Sequence, residues 1–274
     1  MTLRLRLVSW NLHGPPLAWR QRQRFAAAAT HILEHRCDPL PDFILLQEAW
    51  FPSKAALLIE TLQPHYDSVG VPRALFPGRK GGLLSFIRRD SGWQLRRSSF
   101  HQFEAAAEVW RFWEGDGAAA KGFQHLELER DGQPLALVNT HLQAEYGELR
   151  YTHIRRHQLD QLHRHLSAVP DSVPIISAGD FNTRHNEPLY SELERRWNDL
   201  TLHLRFSCRC GTTVTADDAS EWIDYVLTRR SPRWSAQAES ADRILSRAPD
   251  LPYSDHHGLD VTLRLERTRH GTPL

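Results

Sequence analysis

The chain is poor in cysteine. It has three, Cys37, Cys208 and Cys210, an odd and sparse set that supplies no disulfide framework. Cys208 and Cys210 flank a single arginine with no second pair, which argues against a zinc site. Lysine is scarce too: Lys54, Lys80 and Lys121 are the only ones among 34 lysines and arginines. Arginine forks suit phosphate, but a GC-rich genome also inflates arginine, and that compositional explanation is favoured. A formal net charge of +1 over 274 residues leaves no global field to draw nucleic acid or an acidic membrane, although a local patch could still act. No long apolar run is present. The N-terminus alternates like a strand, lacks the apolar core of a signal peptide, and no stretch is long enough to span a membrane, so the expected location is cytoplasmic. Two motif classes are missing as well. There is no Gly-x-Ser-x-Gly for acyl transfer, and no Gly-x-Gly-x-x-Gly or Walker loop for nucleotide binding.

What is present is a core. The hydrophobic fraction of 41% suffices for one large α/β domain, and no repeat, linker or charge block divides the chain. A single domain over 1–274 is expected, with a frayed tail at 267–274. Leu3–Trp10, Asp42–Gln47 and Val173–Ala178 read as strands, the last two as buried apolar runs. Trp19–Arg36, Lys54–Leu62, Leu149–Leu166 and Glu187–Trp197 read as helices. Tyr66 to Leu142 looks β-rich, with pieces at 82–89, 92–100, 108–114, 121–129 and 134–142 separated by turns such as Asp116-Gly117 and Asp131-Gly132. Trp222–Thr228 and Leu259–Leu265 are strands, and Arg233–Leu245 is strand plus loop. Many strands with a few helices suggest two packed sheets covered by helices.

Polar groups recur at the ends of the apolar strands. Asn11 follows the first, in SWNLHG. Glu48 ends the second, in LLQEAW. Asn139 and His141 close LALVNTHL, and Asp180 and Asn182 sit in GDFN. Asp224 lies in WIDYVL, and Asp255 and His256 precede the last strand, in SDHHG. Singly, each is a turn former, a cap or a satisfied core residue. Six coincidences at strand ends are improbable, and α/β folds gather their sites there. The oxygen-rich set Glu48, Asp180, Asp255, Asn11 and Asn182 suits a hard cation, Mg²⁺ or Mn²⁺. A metal, a water-orienting carboxylate and a His–Asp pair together describe phosphate-ester hydrolysis.

These motifs, in this order from residue 8 to 260, resemble the endonuclease/exonuclease/phosphatase superfamily. The resemblance implies a four-layer α/β/β/α sandwich of two mixed, mostly antiparallel sheets flanked by helices. It implies Glu48 as the main metal ligand with Asn11 beside it, and Asp255 adding metal or outer charge. Asp180 would orient the attacking water, and Asn182 would hold the phosphate. His256 would be the catalytic histidine, oriented by Asp224, and His257 a neighbour in a variable position. His141 would contact the phosphoryl group or protonate the leaving oxygen. Within the superfamily, VNTHLQAEYGELR (138–150) and KGGLLSF (80–86) look like the neutral sphingomyelinase branch. Substrate contacts are then expected at Asn139, Lys80 and Arg150, with Lys80 and Arg79 near phosphate. The expected activity is a Mg²⁺-dependent phosphodiesterase, with Mn²⁺ as a possible substitute. Its partner is a phosphate-ester substrate, with no obligate protein partner. Alternatives are a DNA or RNA endonuclease of the same fold, or an inositol-phosphate or nucleotide phosphomonoesterase using a basic pocket drawn from Arg150, Arg155 and Arg184. A non-catalytic binding module ranks low because every motif residue is present.

Overall fold

A computed structural model describes residues 2–15, 18–35, 39–71, 80–106, 119–145, 151–207, 221–244 and 253–268. Two six-stranded sheets form its centre. The first holds β1 (Thr2–Asn11), β2 (Phe43–Gln47), β3 (Tyr66–Gly70), β4 (Leu84–Arg88), β11 (Trp234–Ile244) and β12 (Gly258–Arg267), in the order β11-β12-β1-β2-β4-β3. The second holds β5 (Gln94–Gln102), β6 (Gly122–Arg130), β7 (Gln133–His141), β8 (Ile175–Asp180), β9 (Trp197–Asp199) and β10 (Asp224–Arg229), in the order β5-β6-β7-β8-β10-β9. Each sheet has one parallel pair at its centre, β1 with β2 and β7 with β8, and antiparallel pairs elsewhere. A parallel pair needs a crossover. Helix α1 (Gln21–Glu34) supplies it in the first sheet and α3 (Thr152–Leu166) in the second.

The layers follow from period two along the strands. Leu3, Leu5 and Leu7 of β1, with Phe43 and Leu45 of β2, share one buried cluster with Leu126, Leu128, Leu135 and Leu137 of the second sheet. Val8, Trp10, Ile44 and Leu46 face the other way. They pack on Phe25, Ala29 and Ile32 of α1 and on Ala55, Leu58 and Leu62 of α2 (Pro52–Leu62). On the far side, Leu159, Leu162 and Leu166 of α3 join the main cluster. This is the α/β/β/α order. β1 alternates only over its first residues because its later half is covered by the second sheet on one face and by α1 and α2 on the other. No helix among the described residues is long and apolar enough to cross a membrane.

Element boundaries differ from expectation in three places. The helix expected over 187–197 is α4 (Pro188–Glu194), and Trp197 instead opens β9, which pairs with β10. Tertiary pairing thus overrides a helical reading of a charged run. Helix α5 (Leu202–Ser207) has no counterpart in that reading. The last strand reaches Arg267, and the Thr268 amide donates to the Arg233 carbonyl at 2.9 Å, so ordered pairing runs past the start of the expected tail. The strand expected at 108–114, the Asp116-Gly117 turn and residues 269–274 lie outside the described residues.

Candidate active site

Asn11, His141, Asp180 and Asp224 stand at one end of the space between the sheets. Along β1, Asn11 keeps the phase of Leu5 and Leu7, so its side chain enters that space, fully buried. His141 pairs in register with Asp180, and Asp180 with Asp224, across β7, β8 and β10. Three neighbouring strands therefore deliver an imidazole and two carboxylates side by side. Burial of all three is near complete.

The local chain is shaped to allow this. Gly179 has φ 144°, and a Cβ there would lie 2.0 Å from the Thr140 carbonyl. Only glycine permits that approach of β8 to β7. Gly14 is required for another reason: a Cβ would lie 1.9 Å from the Glu48 carbonyl oxygen. That closeness lets the Gly14 amide donate to Glu48 Oε2 at 2.9 Å. His13, Glu48 and Asn182 all hold positive φ, 49°, 60° and 46°. Non-glycine residues in this region cost about 1–3 kcal/mol each unless the surroundings impose it, and such strain clusters at functional sites.

Hydrogen bonds join the first sheet to the second through this cluster. The Asn11 amide donates to Glu48 Oε1 at 3.0 Å and to Asp180 Oδ2 at 2.9 Å, and its oxygen accepts the His13 backbone N–H. His256 Nδ1 lies 2.8 Å from Asp224 Oδ2. His256 Nε2 is 3.9 Å from both Asp180 and Asp255. His141 Nε2 is 3.5 Å from Asp180 Oδ2, while its Nδ1 is buried with no hydrogen-bond partner among the described residues. The Asn182 backbone N–H caps Asp180 Oδ1 at 2.8 Å, and its side-chain amide donates to the Leu142 carbonyl at 3.0 Å. Ser254 holds the last loop in place: it donates to the Asn11 carbonyl at 2.6 Å and accepts the His256 N–H at 3.1 Å.

Charge is partitioned sharply here. Burial pushes the Asp180 carboxyl up to about 7, with Asp224 adding to it and His256, Lys121 and Asn11 opposing. Burial works against charge on His256, but the hydrogen bond and charge of Asp224, with Asp180 and Asp255, hold its imidazolium well above the ordinary range. Burial keeps His141 neutral, and Lys121 and His256 reinforce this. Asp255 is held down at about 2: the His13 hydrogen bond and the charges of His256 and His13 outweigh its burial. One buried acid of raised pKa, one buried imidazolium and one neutral imidazole are thus packed together, the kind of separation that acid–base chemistry uses.

Of the residues expected in the site, Asn11, Glu48, His141, Asp180, Asn182, Asp224, Asp255 and His256 come together. Asn139 does not. It lies one layer below, where it accepts from Gln47 at 2.8 Å and donates to the Leu46 carbonyl and to Ser85. Ser85 passes the chain on to Gln124 at 2.7 Å, making a buried polar belt between the sheets that forms the floor of the site. Lys80 is half-buried in a 3-10 turn, Lys80–Gly82, which touches the Glu48 loop through the Ala49 N–H and the Gly82 carbonyl. Lys80 makes no ion pair among the described residues. Arg150 and Arg79 lie outside them.

Arg155 and Arg184 do not form a basic pocket. Arg155, completely buried, pairs with Glu145 and Glu187 at 2.8 Å each. Arg184 pairs with Glu145, Glu187 and Glu221. These ions bind the loops after β7 and β8 to the segment before β10.

Two contributors escaped the sequence reading. Lys121, buried, donates to the Leu142 carbonyl at 2.8 Å and acts on both Asp180 and His141. Its scarcity as a lysine in an arginine-rich chain was the one available signal. His13 pairs with Asp255 at 2.9 Å. It sits inside SWNLHG beside Asn11, two residues from the expected ligand.

The sequence profile of the Endonuclease/Exonuclease/phosphatase family matches residues 8–256. An inositol phosphosphingolipids phospholipase C of Schizosaccharomyces pombe is 29% identical, covering 96% of this chain and 69% of that protein. A sphingomyelinase C of Bacillus cereus is 22% identical over 97% of this chain and 88% of its own length. Among solved structures, a humanized D. rerio TDP2 superposes with a TM-score of 0.73 at 18% identity, over 95% of this chain and 98% of that one. A double mutant of the Staphylococcus aureus beta toxin with bound magnesium ions gives 0.68 at 15%, over 94% and 99%.

Proposed function

The chain belongs to the endonuclease/exonuclease/phosphatase family of phosphate-ester hydrolases, and from that premise we propose that it is a Mg²⁺-dependent phosphodiesterase acting on sphingolipid phosphodiesters. The observation that carries the reading is the buried triplet of Asp180, Asp224 and His256, whose ligand atoms all lie within 4.8 Å of one another. The sphingolipid class rests on what the two curated relatives are named for.

The residues fit a hard cation. Glu48 and Asp180 both accept from the one Asn11 amide, and burial has pushed the Asp180 carboxyl up to about 7, a cost that a cation bound nearby would relieve. Glu48 would hold the ion, with Asp255 adding charge, and Asp180 beside it stays free for the water. Asn11 presents its amide nitrogen to the two carboxylates, so ligation by its oxygen requires the amide to turn. Bound there, Mg²⁺ would neutralise charge on the phosphoryl oxygens.

The chain's own groups divide the remaining work. Asp180, beside His141 and capped by Asn182, orients a water toward phosphorus and is placed to take its proton. Asp224 binds Nδ1 of His256 and so aims Nε2 into the site. There the imidazolium stabilises the oxygens that gain charge. His141, neutral, hydrogen-bonds the phosphoryl group rather than serving as a strong acid. Asn182 keeps a second amide hydrogen for the same oxygens. Water gives its proton to Asp180 as it attacks phosphorus, the P–O bond to the lipid alcohol breaks, and the His256 imidazolium gives its Nε2 proton to the leaving oxygen.

The pairing of Arg155 and Arg184 with glutamates weighs against a polyphosphate monoesterase. The reading is tested by a panel with Mg²⁺ and Mn²⁺: sphingomyelin, inositol phosphosphingolipid, plasmid DNA, RNA, bis-p-nitrophenyl phosphate and inositol phosphates, with His256→Ala as the blank. Turnover of the sphingolipids above the blank is expected. Preference for DNA or RNA would replace the substrate class, and a panel without turnover would overturn the enzyme reading.

A further inference from the structure

Arg24 lies in the first turn of α1 and is 5% exposed, yet it forms no ion pair among the described residues. Its guanidinium donates to four backbone carbonyls instead. Nε reaches the Trp19 carbonyl at 2.8 Å, and Nη2 reaches that of His13 at 2.7 Å. Nη1 reaches Tyr253 at 2.8 Å and Leu12 at 3.4 Å. Leu12, His13 and Trp19 belong to the loop between β1 and α1, which begins beside Asn11. Tyr253 belongs to the loop before β12, which carries Asp255 and His256. One side chain therefore ties together two loops of the active site that are remote in sequence.

Packing alone does not call for this residue. A buried charge without a carboxylate is costly unless its donors are satisfied, and an apolar side chain would fill the space without that cost. Burial lowers the Arg24 guanidinium from its ordinary range, and the charges of Asp255 and Glu48 oppose the effect. The carbonyls it binds lie where the chain is strained. His13 and Arg20 both hold positive φ, 49° and 48°, and the fork grips the carbonyl of His13 and that of Trp19, the residue before Arg20. His256 shows what depends on the grip. Its backbone is held on the first sheet, where the Trp10 indole donates to its carbonyl at 2.9 Å and Ser254 binds the Asn11 carbonyl. Its imidazole is bonded to Asp224 on the second sheet. That contact closes only if the loop before β12 sits at the right place on the first sheet.

We infer that Arg24 is a positioning residue of the active site: its fork fixes the loop beside Asn11 and the loop of Asp255 and His256 in one relation to each other, and the reaction depends on that relation. A planar guanidinium with five N–H groups can serve carbonyls that converge on it from separate segments. A lysine ammonium concentrates its three donors at one point and cannot span them.

The inference rests on the phosphodiesterase reading and is tested apart from it by two readouts on the full chain. The first is turnover, in Mg²⁺, of the panel substrate that wild type cleaves fastest, expressed per folded molecule. Arg24→Gln is expected to lower kcat about 10²-fold, the loss that follows a misplacement of about 1 Å. KM should barely move, because Arg24 works through the loops rather than on the substrate. The second readout needs no turnover. It is the far-downfield proton NMR resonance of His256 Nδ1–H bonded to Asp224, assigned by its loss in His256→Ala. Arg24→Gln should shift or erase it, and Arg24→Lys, which keeps the charge but not the fork, should behave like Arg24→Gln in both readouts. A lower melting temperature with wild-type kcat and an unmoved resonance overturns the inference. So does full activity in Arg24→Lys. So does an effect confined to the Mg²⁺ concentration at half-maximal rate, which would make Arg24 a balance of charge for Glu48 and Asp255. Should wild type cleave nothing in the panel, the phosphodiesterase reading falls and the resonance decides: moved in both variants, it shows that Arg24 positions His256, and unmoved, that it does not. Should Arg24→Gln fail to fold, Arg24→Lys decides by the same two readouts.

Discussion

His256 binds Asp224 through Nδ1 at 2.8 Å, with both side chains buried. The contact fixes which nitrogen faces the site, and with Asp180 and Asp255 it keeps the ring charged. Asp224→Asn preserves shape but removes the charge. It is expected to lower kcat/KM by about 10²-fold or more and to displace the acidic or basic limb of the pH–rate profile. An unchanged profile would mean that Asp224 only packs.

The adjacent histidines should separate cleanly. His256 is buried against Asp224, while His257 is half-buried. His256→Ala should abolish turnover. His257→Ala should cost less than about tenfold, or about 1.4 kcal/mol of transition-state stabilisation. Steady-state rates on one substrate decide this, and equal losses would contradict the assignment.

Arg155 is completely buried between Glu145 and Glu187. Removing one partner of a buried pair leaves uncompensated charge, typically costing about 3–5 kcal/mol. Arg155→Met should lose stability of that order in urea unfolding. Arg156, exposed against Glu192, should lose almost nothing as Arg156→Met.

Gly179→Ala tests the strand junction. The new methyl would sit 2.0 Å from the Thr140 carbonyl, at φ 144°. It is expected to destabilise by more than about 1 kcal/mol and to lower kcat by moving Asp180, its neighbour.

His163 accepts the Trp197 indole N–H at 2.7 Å. Burial pulls its pKa down to about 4, with Arg196 adding and Asp160 opposing. The unfolded chain therefore binds this proton first as pH falls. Stability is fully present above the unfolded value of 6.5 and is lost progressively as pH drops from there toward about 4. Urea unfolding from pH 7.5 to 4.5 should show a shallower pH dependence in His163→Gln than in wild type.

Much of this was legible in the chain. Strand-end polar groups after apolar runs marked Asn11, Glu48, Asp180 and Asp224, because period two carries the core face straight into the site. Motif order carried the choice of His256 over His257. Asn139 shares the phase of His141 but sits two residues earlier, in the belt between the sheets, a depth that the motif alone does not give. Arg155 and Arg184 looked like phosphate ligands because pairing across loops with Glu145, Glu187 and Glu221 has no local signature. The Arg24 fork was invisible, since its acceptors are backbone carbonyls of two loops that meet only in the fold.

The most direct test of the central claim is the initial rate of phosphocholine release from sphingomyelin, in Mg²⁺ and in EDTA, for wild type and Asp180→Asn. Wild type should turn over in Mg²⁺ and stop in EDTA, while folded Asp180→Asn should be inactive in both. Turnover that survives EDTA, or an Asp180→Asn variant as fast as wild type, would contradict the account.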